Sequence, residues 1–304
     1  MIFKPRNESV ELKLLRYLNE RMHLSEKDKM NYLTLEKGFK GEQTFDERIK
    51  NISNDWLILN DLLLESNNTI CQIDSLLISN PTIYMIEIKN YEGDYYIEAD
   101  RWYSISGNEI KNPILQLKRS ESLFRRLLQD LGLNYPIESY VIFINPEFHL
   151  YQAPRNLPII FPTQLSRFIN KFTQRTSKMK DKYLKLAEQL VSVHSEESPY
   201  KRIPDYTFDQ LKKGVACARC RSFVNDFSKN SLVCETCDHK ENVTAAVIRS
   251  VEEWAILFPE RKITTNEIQE WCKIIPRRTI LNILSKNFKI IGFGRTSYYM
   301  SYET

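Results

Sequence analysis

The chain has 304 residues, 42% of them hydrophobic, with a formal net charge of +4 and a pI near 8.6. This is an ordinary globular composition, long enough for two or more domains, and its mild basicity does not by itself identify a polyanion partner. No run reaches the roughly 18 to 20 apolar residues that span a bilayer, and the N-terminus MIFKPRNESVELK lacks the apolar core of a signal peptide. We therefore expect a cytoplasmic protein that does not associate with membranes.

The first part of the chain, residues 1–195, mixes helices and strands. Two helical patterns, SVELKLLRYLNERM and KGFKGEQTFDERIKNI, precede the apolar stretch WLILNDLLL. Two hairpins follow, CQIDSLLISNPTIYMIEIKN and GDYYIEADRWYSISG. After them come the helix NPILQLKRSESLFRRLLQDLG, the strand YVIFIN and further helices between Thr163 and His194. This order predicts an α/β or α+β sandwich.

The rest of the chain divides into three shorter segments. Residues 196–213 contain two prolines and many polar residues, which is typical of a linker. Residues 214–241 hold two C-x-x-C pairs. Residues 242–304 contain three helical patterns and then two short strands, KIIGFG and SYYMSY. Three helices followed by a hairpin is the order of a winged helix, so we predict a winged-helix-like domain there.

Three charged residues, Asp74, Glu87 and Lys89, interrupt the apolar first hairpin. A turn centred on its NP dipeptide sets Asp74 opposite Glu87 and Gln72 opposite Lys89. Because side chains alternate with period two, all four then share one face. Directly opposed Cβ atoms lie about 4.5 to 5.5 Å apart. At that distance two carboxylates can bind one hard divalent cation, with oxygens about 2.0 to 2.1 Å from the ion if it is magnesium.

The remainder of that face consists of apolar side chains: Leu76, Ile78, Ile83 and Met85. An unneutralised carboxylate pair there would suffer desolvation and like-charge repulsion. A bound cation together with Lys89 would offset both, and could activate a water and stabilise charge on a phosphate. The alternative is a water-exposed, purely structural carboxylate–lysine cluster at the end of the sheet. A slip of one residue in the register would separate the two carboxylates.

These motifs, taken in order, resemble the PD-(D/E)xK nuclease superfamily and, more narrowly, the nuclease-related domain called NERD. The matching pieces are GFKGEQTFDERI with Glu42, QIDSLLIS with Asp74, IYMIEIKNYEGD with Glu87 and Lys89, DRWY with Trp102, and NPILQLKRS with Gln116. The resemblance covers roughly residues 37–150 and implies a restriction-endonuclease-like core within a domain of residues 1–195.

The resemblance also implies a role for each site residue. Asp74 and Glu87 would bind Mg2+ or Mn2+, and Lys89 would position the attacking water or offset charge at the scissile phosphate. Glu42 would add a ligand or orient a metal-bound water, and Gln116 would support the site or contact a phosphate. In isolation, Glu42 reads equally well as a surface residue of a helix, and Gln116 as part of a helix face.

The four cysteines of residues 214–241 have the spacing of a metal site. Cys217 and Cys220 are followed, after 13 residues, by Cys234 and Cys237. Two such pairs fit a tetrahedral Zn(Cys)4 site in a zinc ribbon, with Zn–S distances of about 2.3 Å. Four thiolates close the site to substrate, so the zinc would be structural. A thioredoxin-like redox motif is the weaker alternative, because there are two pairs and no surrounding βαβ pattern.

The last segment carries the candidate DNA contacts. TTNE has the form of a capping box, and IPRRTILNILSKNF begins with a proline suited to a first helical turn. In a helix-turn-helix, the N-terminal residues of the recognition helix meet the major groove. The candidate contacts are Arg277, Arg278, Thr279 and Asn282, with Arg295 at the wing tip as a phosphate contact. Winged helices also bind proteins, so that alternative stays open.

The leading hypothesis is a metal-dependent DNA nuclease whose zinc ribbon and winged helix hold or select the substrate. A second hypothesis is a non-catalytic DNA-binding or regulatory protein on a nuclease-like scaffold, which predicts no Mg2+ or Mn2+ beyond the zinc. A third, a protein-interaction adaptor, predicts no salt-dependent DNA affinity. The sequence leaves open RNA as a substrate, a protein partner and a homodimer.

Overall fold

The computed structural model of the chain describes residues 1–52, 55–66, 69–173, 180–196, 200–228 and 230–302, without the side chain of Arg295. Two compact units divide the chain. The first comprises Met1–Glu8 and Leu33–Tyr200, and the second comprises Ser9–Tyr32 and Lys201–Thr304.

Both units contain helices and strands. The α-helices are α1 (Val10–Arg21), α2 (Glu26–Ile49), α3 (Pro113–Asp130), α4 (Leu165–Thr173), α5 (Asp181–Ser192), α6 (Val243–Leu257), α7 (Thr265–Cys272) and α8 (Arg277–Asn287). The strands of the first unit are β1 (Ile2–Lys4), β2 (Leu57–Ser66), β3 (Thr69–Ile78), β4 (Ile83–Lys89), β5 (Gly93–Glu98), β6 (Arg101–Ser104), β7 (Glu109–Ile110), β8 (Ile137–Phe143), β9 (Phe148–Tyr151) and β10 (Ile159–Ile160). Those of the second unit are β11 (Val215–Ala216), β12 (Phe223–Val224), β13 (Asp226–Ser228), β14 (Ser231–Val233), β15 (Lys240–Asn242), β16 (Lys289–Ile291) and β17 (Tyr298–Met300).

A mixed sheet with the strand order β1-β2-β3-β4-β8-β10 forms the centre of the first unit. The pairs β2–β3 and β3–β4 are antiparallel, whereas β4–β8 is parallel. Leu76 and Met85 pack in a core with α3 and α5, while Leu77 and Tyr84 pack in another with α2 and α4. Because both faces are covered, β2, β3 and β4 are nearly continuous apolar runs. The predicted α/β core is confirmed.

A smaller sheet, ordered β7-β6-β5-β9, belongs to the same unit. Its antiparallel β5–β6 hairpin is the predicted second hairpin. The two-residue turn has positive φ at both Ala99 (47°) and Asp100 (64°), as a type I′ turn requires. Trp102 is buried and its ring lies 6.0 Å from that of Phe143, measured between centroids. This tryptophan therefore contributes to packing.

In the second unit, α1, α6, α7 and α8 share a core with β11, β12 and β14 and with two of the cysteines that follow these strands, Cys217 and Cys234. A buried ion pair stabilises the contact of α1 with α6: Arg21 Nε lies 2.5 Å from Glu253 Oε1. The Arg21 guanidinium also lies 3.9 Å from the centroid of the Trp271 ring. Thr264 caps α7 by accepting a hydrogen bond from the Glu267 N–H at 3.2 Å, as TTNE predicts.

The unit boundary differs from the one expected from sequence. Helix α1, expected within a domain of residues 1–195, packs in the core of the second unit. The segment expected to be a linker also packs there: Leu211 is buried, and the Tyr206 hydroxyl donates to the Leu257 carbonyl at 2.7 Å. Apolar periodicity shows that α1 has a buried face, but not which core covers it. In the described part of the chain, no helix is both long and apolar enough to cross a membrane.

Candidate active site

The β3–β4 hairpin opens where its charged residues begin. Its ladder pairs Ile78 with Ile83 and extends as far as Ser75 and Ile86. This is the register expected for a turn at the NP dipeptide. Beyond that pair, β4 stays with β8 while β3 follows β2. The two strands therefore form a fork where a direct pair of carboxylates was expected.

Asp74 lies at the opening of this fork. Its Oδ2 accepts a hydrogen bond from the backbone N–H of Ile88 at 2.7 Å. This bond satisfies a backbone donor of β4 that no longer faces β3.

The β2–β3 pairing is irregular at the same level of the sheet. In β2, Asp61 has φ of 53°, and the pairing skips this position. The β3 residues in the core with α3 are Cys71, Ile73, Leu76 and Ile78. The period-two alternation of side chains between the two faces of β3 is therefore broken at Asp74. Gln72, which was expected on the same face as Asp74, Glu87 and Lys89, is exposed.

Glu87 and Lys89 of β4 meet Gln116 of α3 beside the fork. The Lys89 Nζ lies 2.6 Å from Glu87 Oε1 and donates to Gln116 Oε1 at 3.1 Å. Gln116 Nε2 donates to Glu87 Oε1 at 2.5 Å. Gln116 is in the first turn of α3, whose start is set by Asn112: its side chain accepts from the Ile114 N–H at 2.9 Å. The Lys89 side chain is 17% exposed and that of Glu87 3%, so the cluster reaches water through the lysine.

Glu42 of α2 is held by an arginine that sequence reasoning missed. Arg6 Nη1 donates to Glu42 Oε2 at 2.8 Å, and Nη2 donates to the Asp74 carbonyl at 2.9 Å. Its Nε pairs with Asp46 Oδ2 at 2.9 Å. The arginine side chain is 3% exposed, so these contacts are shielded from water.

One signal pointed to such a partner. Glu42 and Asp46 lie one turn apart on the same helix face. Two carboxylates at this spacing repel each other, so a cationic partner is expected nearby. Arg6 precedes Glu42 by 36 residues and follows the edge strand β1. No local pattern connects positions so far apart.

Three carboxyl groups around the fork have raised pKa values. Burial, and then the charge of Asp74, raises the pKa of Glu87 to about 8 and that of Glu42 to about 7. Burial also raises the pKa of Asp74, against the opposing effects of Lys89 and the Ile88 N–H. For Lys89, burial lowers the pKa, but Glu87 and Asp74 outweigh it and the pKa is raised. Protons therefore neutralise part of the charge of these carboxyl groups, and Lys89 neutralises another part.

The donor set of the fork fits a hard divalent cation. Asp74 and Glu87 offer buried carboxylate oxygens, which Mg2+ and Mn2+ prefer, and a cation there would displace the protons that burial and charge repulsion retain. Such a cation would compete with Lys89 for Glu87 Oε1. Within the described ranges, ligand atoms of three or more His, Cys, Asp or Glu residues converge within 4.8 Å only at the four cysteines.

Those cysteines form a cluster in the second unit. Cys217 and Cys220 follow β11, and Cys234 and Cys237 follow β14. The Sγ atoms of Cys217 and Cys237 are 3.7 Å apart, and those of Cys220 and Cys234 are 3.4 Å apart. A tetrahedral ion with Zn–S bonds of about 2.3 Å would set the sulfurs about 3.8 Å apart. The cluster can therefore hold zinc, consistent with a zinc ribbon.

The two cysteine turns have equivalent backbone geometry. In each, the N–H of the first cysteine donates to the carbonyl five residues on, at 2.8 and 3.0 Å. The residue after the second cysteine is left-handed in both: φ is 64° at Arg221 and 55° at Asp238. The backbone thus presents both sulfur pairs in the same way.

The predicted DNA contacts lie mostly on the surface of α8. Arg277, Arg278 and Asn282 are exposed, and Thr279 is half-buried. Arg277 Nε donates to Asn266 Oδ1 at 3.2 Å. The apolar stripe of α8 faces the core as expected, with its buried residues Ile280, Ile283 and Leu284. The side chain of Arg295 lies outside the described residues.

A mixed α/β sheet that forks at buried acidic residues beside a lysine is consistent with a nuclease-like core. The family model of the nuclease-related domain, NERD, matches residues 37–144, so the chain carries a NERD domain, in agreement with the resemblance seen in its motifs. The residues Glu42, Asp74, Glu87, Lys89 and Gln116 all fall inside the match, whereas Arg6 lies outside it.

No curated protein matches the chain. Among solved structures, the crystal structure of protein VC1899 from Vibrio cholerae is similar at 14% identity and a TM-score of 0.24. The alignment covers 50% of this chain and 36% of that one, so the chain spans about a third of its length. A likeness this weak supports no inference about function.

Proposed function

We propose that this chain is a metal-dependent nuclease that hydrolyses phosphodiester bonds in DNA. The observation that carries the proposal is the forked sheet: it gathers Asp74, Glu87 and Lys89 where β3 and β4 separate, and two helices bring Glu42 and Gln116 to them. Buried carboxylates with raised pKa values beside a lysine are costly for stability and typical of functional sites.

Each residue has a role that follows from its contacts. Asp74 and Glu87 would hold Mg2+ or Mn2+, which when bound polarises the scissile phosphate and lowers the pKa of a water. Lys89, whose side chain reaches water beside Glu87, could offset charge developing on a phosphate held at the site. Glu42, whose pKa burial raises to about 7, can accept the proton of the attacking water as the new P–O bond forms. As the ester P–O bond breaks, the leaving oxygen takes a proton from solvent water. Gln116 keeps Glu87 and Lys89 oriented.

The second unit would hold the DNA. In this proposal its zinc ribbon is structural, and the helices α6, α7 and α8 with the β16–β17 hairpin act as a winged helix. The proposed contacts are Arg277, Arg278, Thr279, Asn282 and Arg295. The exposure of both arginines at the start of α8 supports this role. Phosphate contacts should make DNA affinity fall steeply with salt.

The test is cleavage of labelled linear, single-stranded and supercoiled DNA with Mg2+, with Mn2+ and without either ion. Asp74→Ala and Lys89→Ala should abolish metal-dependent cleavage. Glu92→Ala is the matched control, because this exposed carboxylate lies three residues beyond Lys89 and pairs with Lys37 outside the fork. Its cleavage rate should stay at the wild-type level.

Three outcomes would redirect the assignment. Cleavage by Asp74→Ala at the wild-type rate would remove the fork from the mechanism. No cleavage of any substrate, with salt-dependent DNA binding retained and no Mn2+ bound at the fork, would favour a regulatory DNA-binding protein on a nuclease scaffold. Loss of DNA binding as well would favour a protein-interaction adaptor.

A further inference from the structure

The second unit contains a cleft that the proposed nuclease site does not use. Its volume is about 630 Å³, and its lining residues are Lys212, Lys213, Asn266, Gln269, Glu270 and Lys273. This is within the range of about 300 to 1,000 Å³ typical of small-molecule sites. The cleft lies between the segment that precedes β11 and the helix α7 with its C-terminal cap.

The charge of the lining favours an anion. Three lysines face one glutamate, which leaves a formal excess of two positive charges. Lys213 is anchored, because its Nζ donates to the carbonyls of Phe208 and of Leu211, the latter at 2.9 Å. Lys212 and Lys273 are both exposed and line the cleft. The Lys212 ammonium lies 4.3 Å from the centroid of the Phe223 ring, and its exposure leaves it open to a ligand on the other side.

The backbone conformation at the end of α7 is a second indication that the cleft binds a ligand. Lys273 caps this helix with φ of 59° and ψ of −59°, and the Ile274 N–H donates to the Cys272 carbonyl at 2.7 Å. Lys273 is therefore the centre of a γ-turn of the strained kind that residues other than glycine rarely adopt. A strained residue kept at the edge of a cleft is a reason to look for a ligand that its side chain meets.

Two amides on α7 add hydrogen-bonding groups to this charge. Asn266 and Gln269 are one turn apart and both line the cleft. The Asn266 Oδ1 accepts from Arg277 Nε, which brings a further cation to its rim. Side-chain amides donate and accept, as the edges of bases and sugars require. A bare phosphate would leave most of the volume empty.

We propose that this cleft binds one nucleotide unit, with its phosphate on Lys212 and Lys273 and its base or sugar on the Gln269 amide. The nucleotide belongs to a free nucleoside phosphate or to a nucleic acid strand, since the phosphate chemistry is the same. The site does not depend on the proposed cleavage, because none of its residues belongs to the fork. A chain that cleaves no DNA would still bind the nucleotide.

The experiment uses the full zinc-loaded chain without added magnesium or chelator. Equilibrium dialysis with labelled ATP measures the free nucleotide, and fluorescence anisotropy with a short 5′-phosphorylated oligonucleotide measures the strand. Lys212→Glu/Lys273→Glu should weaken binding of at least one of these ligands by about tenfold or more, and should lower the salt slope of strand binding by about 1 per lysine. Gln269→Ala should weaken binding of that ligand but not of inorganic triphosphate.

The control is Lys27→Glu/Lys29→Glu, which makes the same charge change at exposed lysines of the same unit, away from the cleft. It should bind both ligands like the wild type, and zinc content and melting temperature should match in all variants. Competition between ATP and the oligonucleotide would show that both bind in this cleft. Binding of only one would show whether the cleft takes a free nucleotide or a nucleotide of a strand. Equal binding by Lys212→Glu/Lys273→Glu and wild type, or an equal loss in the control, would overturn the proposal.

Discussion

The carboxylate of Glu87 should make the metal-free protein less stable as the pH rises. Its pKa is about 8 in the folded chain, against 4.5 for the same group exposed to water. Between these values the folded state keeps a proton that the unfolded state has released. Folding therefore binds a proton in this window, and the free energy of unfolding must fall as pH rises through it.

The magnitude follows from the linkage. Each unit of pH within the window costs about 1.4 kcal/mol, so Glu87 should contribute a loss of roughly 3 kcal/mol between pH 5 and pH 7. Below pH 4.5 both states are protonated and the cost vanishes. Glu87→Gln removes it throughout, because an amide oxygen can accept the bonds from Lys89 and Gln116 without carrying charge. The variant should thus be more stable than the wild type at pH 7 and nearly equal at pH 4.5.

The assay is urea unfolding of the wild type and Glu87→Gln across this pH range, without and with Mg2+. The quantity to compare is the difference in unfolding free energy between the two proteins. Burial also raises the pKa of Glu42 and of Glu20 to about 7, so these groups add their own pH dependence to each protein. Magnesium should stabilise the wild type more at pH 8 than at pH 5, because an ion and a proton compete for the same oxygens. A difference that does not change with pH would refute the assigned protonation of Glu87.

Three further results are expected. Cys234→Ser should lose tightly bound zinc and the fold of the ribbon with it, which metal analysis after dialysis would detect as less than one zinc per chain. Arg21→Met should cost about 3 to 5 kcal/mol in urea unfolding, because it strands the buried Glu253 carboxylate, whereas Arg21→Met/Glu253→Leu should cost less. Arg6→Gln should raise the pKa of Glu42 and move the acidic limb of the pH–rate profile for DNA cleavage upward, and Arg6→Lys should move it less.

Features that depend on neighbours along the chain could be predicted from the sequence. The cysteine spacing predicted a cluster that the structure forms, since each pair is presented by its own short turn. The hairpin register followed from the NP turn, and the cap at Thr264 from the TTNE motif. The turn, the cap and each C-x-x-C pair involve residues a few positions apart, so local geometry determines them. The meeting of the two pairs joins residues 14 and 20 positions apart, and it depends on the fold of that segment.

The fork, the partner of Glu42 and the packing of α1 depended on the tertiary structure. Period-two alternation predicted a continuous β3–β4 pair, but the β2–β3 ladder is interrupted at Asp61 and Asp74. Beyond Ile86, β4 continues paired with β8 on its other edge. Arg6 reaches Glu42 only because β1 joins the edge of the sheet. Periodicity tells which face of an element is buried, and charge tells that a partner is needed. Which distant segment meets that need is decided by packing and charge neutralisation over the whole chain, because no single element can satisfy either alone.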